Sequence, residues 1–193
     1  MKIRAIIFDY YGVIQPDALA TTYSYFGGDP EADAQFIADT IYAANMGHIS
    51  GSRWVFAEHL GVSVDEWMRE LKKRAKQDPD LLAYILELKQ SYKVGLLSNV
   101  GRGGLQILWG EDELKKYFDA AIASGDVGHV KPDPEIYHMM AERLGVEPGE
   151  CVMIDDQPAY CDGARATGMQ AIHYRHFKQC KRDLQTLLSQ SGT

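Results

Sequence analysis

The sequence predicts an α/β fold in which helices flank a parallel β-sheet and an all-helical segment follows the first strand. Five short strand-like runs alternate with helical segments along the chain, which is the pattern of a parallel sheet with crossover helices. Two of the runs, KVGLLS and CVMI, are almost wholly apolar, as expected for strands covered on both faces. No strand-like run occurs between residues 16 and 78.

Each predicted strand is a short apolar run with polar or turn residues at its ends. The first run reaches Phe8 and stops at the carboxylate of Asp9, and the others end at polar or turn residues in the same way. We expect strands at Arg4–Phe8, Lys93–Ser98, Ala120–Ser124, Cys151–Ile154 and Gln170–Tyr174.

The helices between these strands begin at recognisable capping signals. An aspartate followed by proline occurs at Asp78 and again at Asp133, and this pair places an N-cap before a proline at the first helical position. The second helix has Gly145 as its stop signal. We expect helices from Pro79 to about Gln90, from Pro134 to Leu144, from Pro158 to about Gly168, and over 178–189.

The segment after the first strand has only helical signals. Helix starts are predicted at Asp29-Pro30, at Ser50 and at Ser63, the last with Glu66 in position for a capping box. We therefore expect two domains: a core of residues 1–15 and 79–193, and a helical cap of residues 16–78 over the carboxyl edge of the sheet. Trp54 and Trp67 are predicted to pack in the core of that cap.

Composition and charge exclude several classes of protein. The chain has 193 residues, a formal net charge of −7 and no basic run, which argues against a nucleic-acid partner. No run of about 18 apolar residues could span a membrane. The apolar run near the N-terminus is too short for a signal peptide, so we expect a cytoplasmic protein. Its three cysteines, Cys151, Cys161 and Cys180, are predicted to be reduced packing residues.

Polar residues collect where the predicted strands end. Ligands bind outside the carboxyl ends of the strands in an open parallel sheet. Each of these residues has a simpler interpretation when taken alone: Asp155 and Asp156 as a helix cap, Ser98 and Asn99 as a turn, Lys131 as a solvated loop lysine. Their joint occurrence at successive strand ends predicts a site, formed by Asp9, Ser98, Asn99, Lys131, Asp155 and Asp156.

The residue types at these positions indicate phosphoryl chemistry. Three clustered carboxylates need a cation, and oxygen ligands suit Mg²⁺. A lysine, a hydroxyl and an amide are donors for a tetrahedral anion. A carboxylate such as Asp9 is able to attack an electrophile and form a covalent aspartyl-phosphate.

Four stretches of the chain resemble the motifs of the haloacid dehalogenase-like (HAD) superfamily. They are FDYYGVI, LLSN, SGDVGHVKPDPEIY and VMIDDQPAYCDGARATGM. The resemblance covers essentially the whole chain and is greatest to the branch that contains glucose-1-phosphate phosphatases and the phosphatase domain of soluble epoxide hydrolases. It implies a Rossmann-like core with a small helical cap inserted after strand one.

The resemblance also implies a role for each site residue. Asp9 would be the nucleophile and a Mg²⁺ ligand, and the backbone carbonyl of Tyr11 a further ligand. Asp156 would bind the metal directly, and Asp155 directly or through water. The phosphate would be held by Ser98, Asn99 and Lys131.

Two tyrosines depart from the family pattern. The phosphatases of the family have an aspartate at the position of Tyr11, which protonates the leaving group and later activates water. A phenol with a reference pKa near 10 is a poor base at neutral pH. At the position of Tyr160, a small polar residue is usual. The resemblance thus implies a phosphatase whose turnover is slow.

Three functions stay open on the sequence alone. The first is a Mg²⁺-dependent phosphatase acting on a small phosphorylated metabolite. The second is a protein that binds phosphate or a metabolite without turnover. The third is a 2-haloacid dehalogenase, because those relatives also have tyrosine at the position of Tyr11, although their fourth motif lacks the two carboxylates. The sequence indicates neither the substrate nor the oligomeric state.

Overall fold

The computed structural model describes residues 2–190 and contains one five-stranded parallel sheet in the order β3-β2-β1-β4-β5. The first strand lies at the centre, with Ile6 paired to Val94 on one side and to Val152 on the other. The predicted α/β fold class is confirmed. The strands are β1 (Ala5–Phe8), β2 (Lys93–Ser98), β3 (Ala120–Ala123), β4 (Cys151–Asp155) and β5 (Gln170–His173).

Eleven α-helices and one short 3-10 helix accompany the sheet within residues 2–190. The 3-10 helix is Pro148–Glu150. The α-helices are α1 (Leu19–Tyr25), α2 (Ala34–Asn45), α3 (Ser52–His59), α4 (Val64–Arg74), α5 (Pro79–Leu88), α6 (Gly104–Trp109), α7 (Glu111–Tyr117), α8 (Ser124–Val127), α9 (Pro134–Leu144), α10 (Pro158–Ala166) and α11 (Phe177–Gln190).

The predicted strands and capped helices occur where expected, with shifts of one or two residues at their ends. Asp78 caps α5, and its carboxylate accepts hydrogen bonds from the N–H groups of Asp80 and Leu81. Ser124, predicted to end a strand, instead begins α8, whereas Asp155 extends β4. Such differences are expected at element ends.

Both faces of the sheet are covered, and β1 and β4 are buried along their whole length. One face packs against α5, α6 and α11 through residues that include Leu81, Ile85 and Leu105. The opposite face packs against α9 and α10 through Met140 and Ala164, among others. The carboxyl ends of the strands therefore form the part of the sheet on which a site can be built.

The helices α1–α4 form a third, smaller hydrophobic cluster around Tyr23, Phe56 and Trp67. The predicted capping box is present, with the Ser63 side chain accepting from the N–H of Glu66. The predicted helix start at Asp29-Pro30 is wrong, because the Asp29 carboxylate stabilises a turn and α2 begins only at Ala34.

The prediction that Trp54 packs in the core of this segment is also wrong. Its side chain is 53% exposed, whereas Trp67 is buried as predicted. Phe56 occupies the buried face of α3, and residues two apart lie about 200° apart around a helix. Among residues 2–190, no helix is both long and apolar enough to cross a membrane.

Candidate active site

The three central strands bring the predicted site residues together at one edge of the sheet. Asp9 follows β1 directly, and its backbone N–H donates to the carbonyl of Ile154 in β4 at 2.9 Å. Ser98 ends β2 and Asp155 ends β4, so both flank Asp9. Parallel pairing of adjacent strands is what makes three residues from distant parts of the sequence neighbours.

Lys131 reaches this edge from the loop between α8 and α9 and is buried there. Its Nζ atom lies 2.9 Å from Oδ1 of Asp9 and 2.5 Å from Oδ2 of Asp155. Burial by itself would lower the pKa of Lys131, but the two carboxylates together raise it. The lysine is therefore charged, and it forms buried ion pairs with the carboxylates of the site instead of lying in solvent as a loop residue.

Asn99 holds the Lys131 loop in place through the backbone. Its Oδ1 accepts from the N–H of Lys131 at 2.8 Å, and its Nδ2 donates to the carbonyl of Lys131 at 3.0 Å. An asparagine amide has two N–H donors, so one is left for a ligand. The contact of Asn99 with phosphate stays a prediction, and the structure adds a positioning role.

The hydroxyl of Ser98 is buried without a partner. Within residues 2–190, its Oγ forms no hydrogen bond, although a buried polar group that lacks one is costly. Ser98 lines the same cavity as Asp9 and Lys131. An unpaired hydroxyl aimed at a cavity is what a site for a polar ligand requires.

Three carboxylates surround a single lysine. Ligand oxygens of Asp9, Asp155 and Asp156 all lie within 4.8 Å of one another. Burial raises the pKa of Asp9 to about 7, Lys131 acts against that rise, and Asp155 adds to it. Burial and Asp155 likewise raise the pKa of Asp156. With all three carboxylates ionised, Lys131 leaves the cluster a net charge of −2, and a hard divalent cation would stabilise this charged form.

Asp156 is fixed by residues that the sequence did not single out. Gln157 donates from Nε2 to its Oδ2 at 2.9 Å, and the ring of His173 lies 2.9 Å from its carbonyl oxygen. Gly12 has φ +82°, and a Cβ at that position would lie 2.3 Å from Asp156 Oδ2. Only glycine allows this approach.

Both tyrosines that depart from the family pattern lie at the site. Tyr11 lines the cavity, and its ring packs edge-on against Tyr10 with centroids 4.9 Å apart. Burial is the main cause that raises the pKa of Tyr11, and the charges of Asp17 and Asp9 add to it. The ring of Tyr160 lies under Lys131, with Nζ 4.9 Å from the ring centroid.

The site opens into a cavity of about 340 Å³ between the sheet edge, α6 and helices α1–α4. Polar residues form its floor and apolar side chains form most of its roof. The roof includes Leu19, Ile41, Phe56, Trp67, Met68 and Leu71.

A family model for haloacid dehalogenase-like hydrolases matches residues 3–168 of the chain. The chain belongs to this family. The match spans the strand-end carboxylates, the lysine and the helical segment. It confirms the family that the four motifs indicated, and it makes the protein a hydrolase.

Two curated relatives of this HAD-like hydrolase show which activities occur among similar proteins. Bifunctional epoxide hydrolase 2 of Sus scrofa is 26% identical over 96% of the chain. Fructose-1-phosphate phosphatase YqaB of Escherichia coli (strain K12) is 42% identical over 32% of it. The chain spans only 39% and 33% of the lengths of these two relatives.

A solved structure has the same fold over most of its length. A HAD family enzyme from Bacteroides thetaiotaomicron superposes with a TM-score of 0.77 at 22% identity, covering 91% of this chain and 95% of that one. The same enzyme has been crystallised with magnesium and inorganic phosphate.

Proposed function

We propose that this hydrolase is a Mg²⁺-dependent phosphatase that acts on a small phosphorylated metabolite through an aspartyl-phosphate on Asp9. One observation carries the proposal: a buried lysine, an unpaired serine hydroxyl and a carboxylate nucleophile converge on one cavity. The phosphatase activities of relatives and the magnesium and phosphate bound by the Bacteroides enzyme support it. We also propose that residues 16–78 act as the cap over a core of 1–15 and 79–193.

The acidic cluster fits a magnesium ion. Asp9 and Asp156 would hold it with the carbonyl of Tyr11. Asp155 has both oxygens engaged, one by Lys131 and one by the N–H of Gln157, which favours a contact through water. When bound, Mg²⁺ would neutralise charge on the transferring phosphoryl group.

The side chains of the site suffice for the first chemical step when the leaving group needs no proton, as with an aryl phosphate. For an alkyl phosphate, the protonated phenol of Tyr11 would be the donor to the leaving oxygen. A carboxylate oxygen of Asp9 attacks phosphorus, the new O–P bond forms, and the bond to the leaving oxygen breaks with its electron pair. An ammonium group has three N–H donors. Two of those of Lys131 are taken by Asp9 and Asp155, so the third is available for a phosphate oxygen, and Ser98 donates to another.

The second step depends on Tyr11. Water must attack phosphorus, break the bond to Asp9 and lose a proton. Tyr11 is a poor acceptor for that proton, because burial raises the pKa of its phenol and the hydroxyl already carries a proton at neutral pH. A missing general base typically lowers the rate by about 100- to 10,000-fold. We therefore propose that hydrolysis of the aspartyl-phosphate limits turnover.

The decisive experiment compares wild type with Asp9→Asn in a phosphate-release assay. We expect Mg²⁺-dependent release from p-nitrophenyl phosphate by wild type and none above background by the variant. Equal release by both would exclude Asp9 as the nucleophile. Halide release from 2-haloacids, measured in parallel, tests the dehalogenase alternative.

A second candidate function is binding without turnover. The observation that favours it is Tyr11 itself, since burial raises the pKa of its phenol and leaves no ionised base at this position near neutral pH. It predicts tight phosphate binding in the presence of Mg²⁺ together with no phosphate release by wild type.

The metal proposal has its own test in Asp156→Ala. We expect calorimetry to detect Mg²⁺ binding to wild type and none to the variant, because the variant loses one of the three carboxylates. Asp162→Ala is the control, since Asp162 lies on α10 and pairs with Arg165 at the surface. Undiminished binding by the Asp156 variant would remove this residue from the metal site.

A further inference from the structure

Arg53 places a positive charge on the cap side of the cavity. It is the second residue of α3, one turn before Phe56, and both line the cavity. Residues three apart in a helix lie on the same face.

The guanidinium of Arg53 is not committed to any carboxylate. Within the described chain, residues 2–190, it forms no hydrogen bond or ion pair, and its only ring contact is with Trp54 at 5.8 Å. Asp17 also lines the cavity but its carboxylate accepts from the backbone N–H of Leu19 and forms no ion pair with Arg53. Arg53 therefore presents unused donors.

The other cation of the cavity has its charge already balanced. Among the described residues that line the cavity, only Lys131 and Arg53 are basic. Lys131 is paired with both Asp9 and Asp155. In the proposed mechanism, the transferring phosphate is bound by Lys131, Ser98 and the cation of the acidic cluster. Arg53 is therefore free to bind another part of the substrate.

We infer that the substrate carries a second anionic group, a carboxylate or a second phosphate, on the part that leaves, and that Arg53 binds it. This inference rests on the proposed phosphatase function. A guanidinium binds such groups with two parallel hydrogen bonds. Apolar side chains predominate on the cap side of the cavity, where Asn45 and Ser52 are the uncharged polar residues among the described lining residues, so a compact carbon skeleton between the two anions fits.

The test uses two aryl phosphates that differ only in charge. They are 4-(carboxymethyl)phenyl phosphate and its neutral amide, which have nearly the same size and leaving group. We expect wild type to prefer the carboxylate by about 10- to 100-fold in kcat/KM, the range of hydrogen bonds to charged groups. Arg53→Gln should abolish that preference, and Arg53→Lys should keep part of it.

A control variant and a binding measurement distinguish failure of the phosphatase function from failure of anion binding by Arg53. Arg69→Gln is the matched control, because Arg69 is an exposed arginine of the same segment that does not line the cavity. Calorimetry of both esters with Asp9→Asn, with and without Arg53→Gln, reports binding without turnover. One outcome would be tighter binding of the carboxylate ester that is lost in Arg53→Gln, together with no phosphate release by wild type. It would refute the phosphatase function and support Arg53 as the binding site of a second anion. Equal affinity for both esters, unchanged by Arg53→Gln, would overturn the proposal that Arg53 binds a second anionic group.

Discussion

Tyr11→Asp is expected to raise steady-state phosphate release from p-nitrophenyl phosphate by at least about 10-fold, toward the range of a positioned general base. The aryl leaving group needs no proton, so the first step does not require Tyr11. The second step does require a base for water, and burial keeps the phenol of Tyr11 protonated. An aspartate there supplies a carboxylate at neutral pH.

The difference in rate between the two chemical steps predicts a burst of nitrophenol release by wild type. If the aspartyl-phosphate on Asp9 forms faster than it hydrolyses, nitrophenol appears in a rapid phase close to one equivalent per site, followed by a slow steady rate. Tyr11→Asp should shrink the burst and raise the slow rate. Tyr11→Phe is the matched control, because it keeps the ring packed on Tyr10 and removes only the hydroxyl.

Two results would contradict this account of Tyr11. A wild type that turns over fast and slows on Tyr11→Asp would show that the phenol suits the chemistry of this site. A Tyr11→Phe variant as active as Tyr11→Asp would show that the added carboxylate is not acting as a base. In the first case, halide release from 2-haloacids becomes the assay of choice.

The sheet was predictable because its central strands are almost wholly apolar. The runs ending at Phe8, Ser98 and Ile154 are long enough and apolar enough to exclude a surface position. Helices α1, α6, α7 and α8 were not predicted, since each has only four to seven residues. Short helices depend on tertiary packing, which a local pattern does not show.

The turn at Asp29 shows why one capping signal failed and another succeeded. An aspartate followed by proline stabilises a turn and a helix start by the same hydrogen bond, which a later backbone N–H donates to the aspartate carboxylate. At Asp78 an apolar helical run follows, and α5 forms. After Asp29 the apolar run begins later, so the helix begins at Ala34.

The search for polar residues at the ends of the predicted strands identified the site residues that the sheet supplies. It missed the site residues that come from other elements. Asp9, Ser98 and Asp155 converge because parallel strands end at one edge. Arg53 comes from α3, and nothing in its local sequence marks it as facing the cavity. Gly12 was visible in the sequence, but its close approach to Asp156 depends on the register of β1 with β4.

Lys131→Ala is expected to lower the free energy of unfolding by about 3–5 kcal/mol, the usual loss when one partner of a buried ion pair is removed. Lys131 is fully buried, and its Nζ contacts both Asp9 and Asp155. Without it, two buried carboxylates have no positive partner. Urea unfolding in the presence of EDTA measures the loss, and the exposed Lys178→Ala should change stability by less than about 0.5 kcal/mol.

A double variant separates the lost charge from the lost volume. Replacing Asp155 with asparagine in the Lys131→Ala background removes one of the two stranded charges but leaves the cavity unfilled. We expect the double variant to regain part of the stability. A loss in Lys131→Ala no larger than in Lys178→Ala, or a double variant that simply adds the two single losses, would contradict the ion-pair account.

The pH dependence of the same variant gives the final check on that account. Lys131 lowers the pKa of Asp9 against the effect of burial, so removing it raises the folded-state pKa of Asp9 and the folded state binds this proton more tightly than the unfolded state does. Stability then falls as pH rises through that range, and the deficit against wild type should shrink when the pH is lowered from 7 to 5. A cavity left by the lysine side chain would cost the same at both pH values. A deficit that depends on pH therefore assigns the loss to the two stranded carboxylates, and added Mg²⁺ should reduce it if the same carboxylates hold the metal.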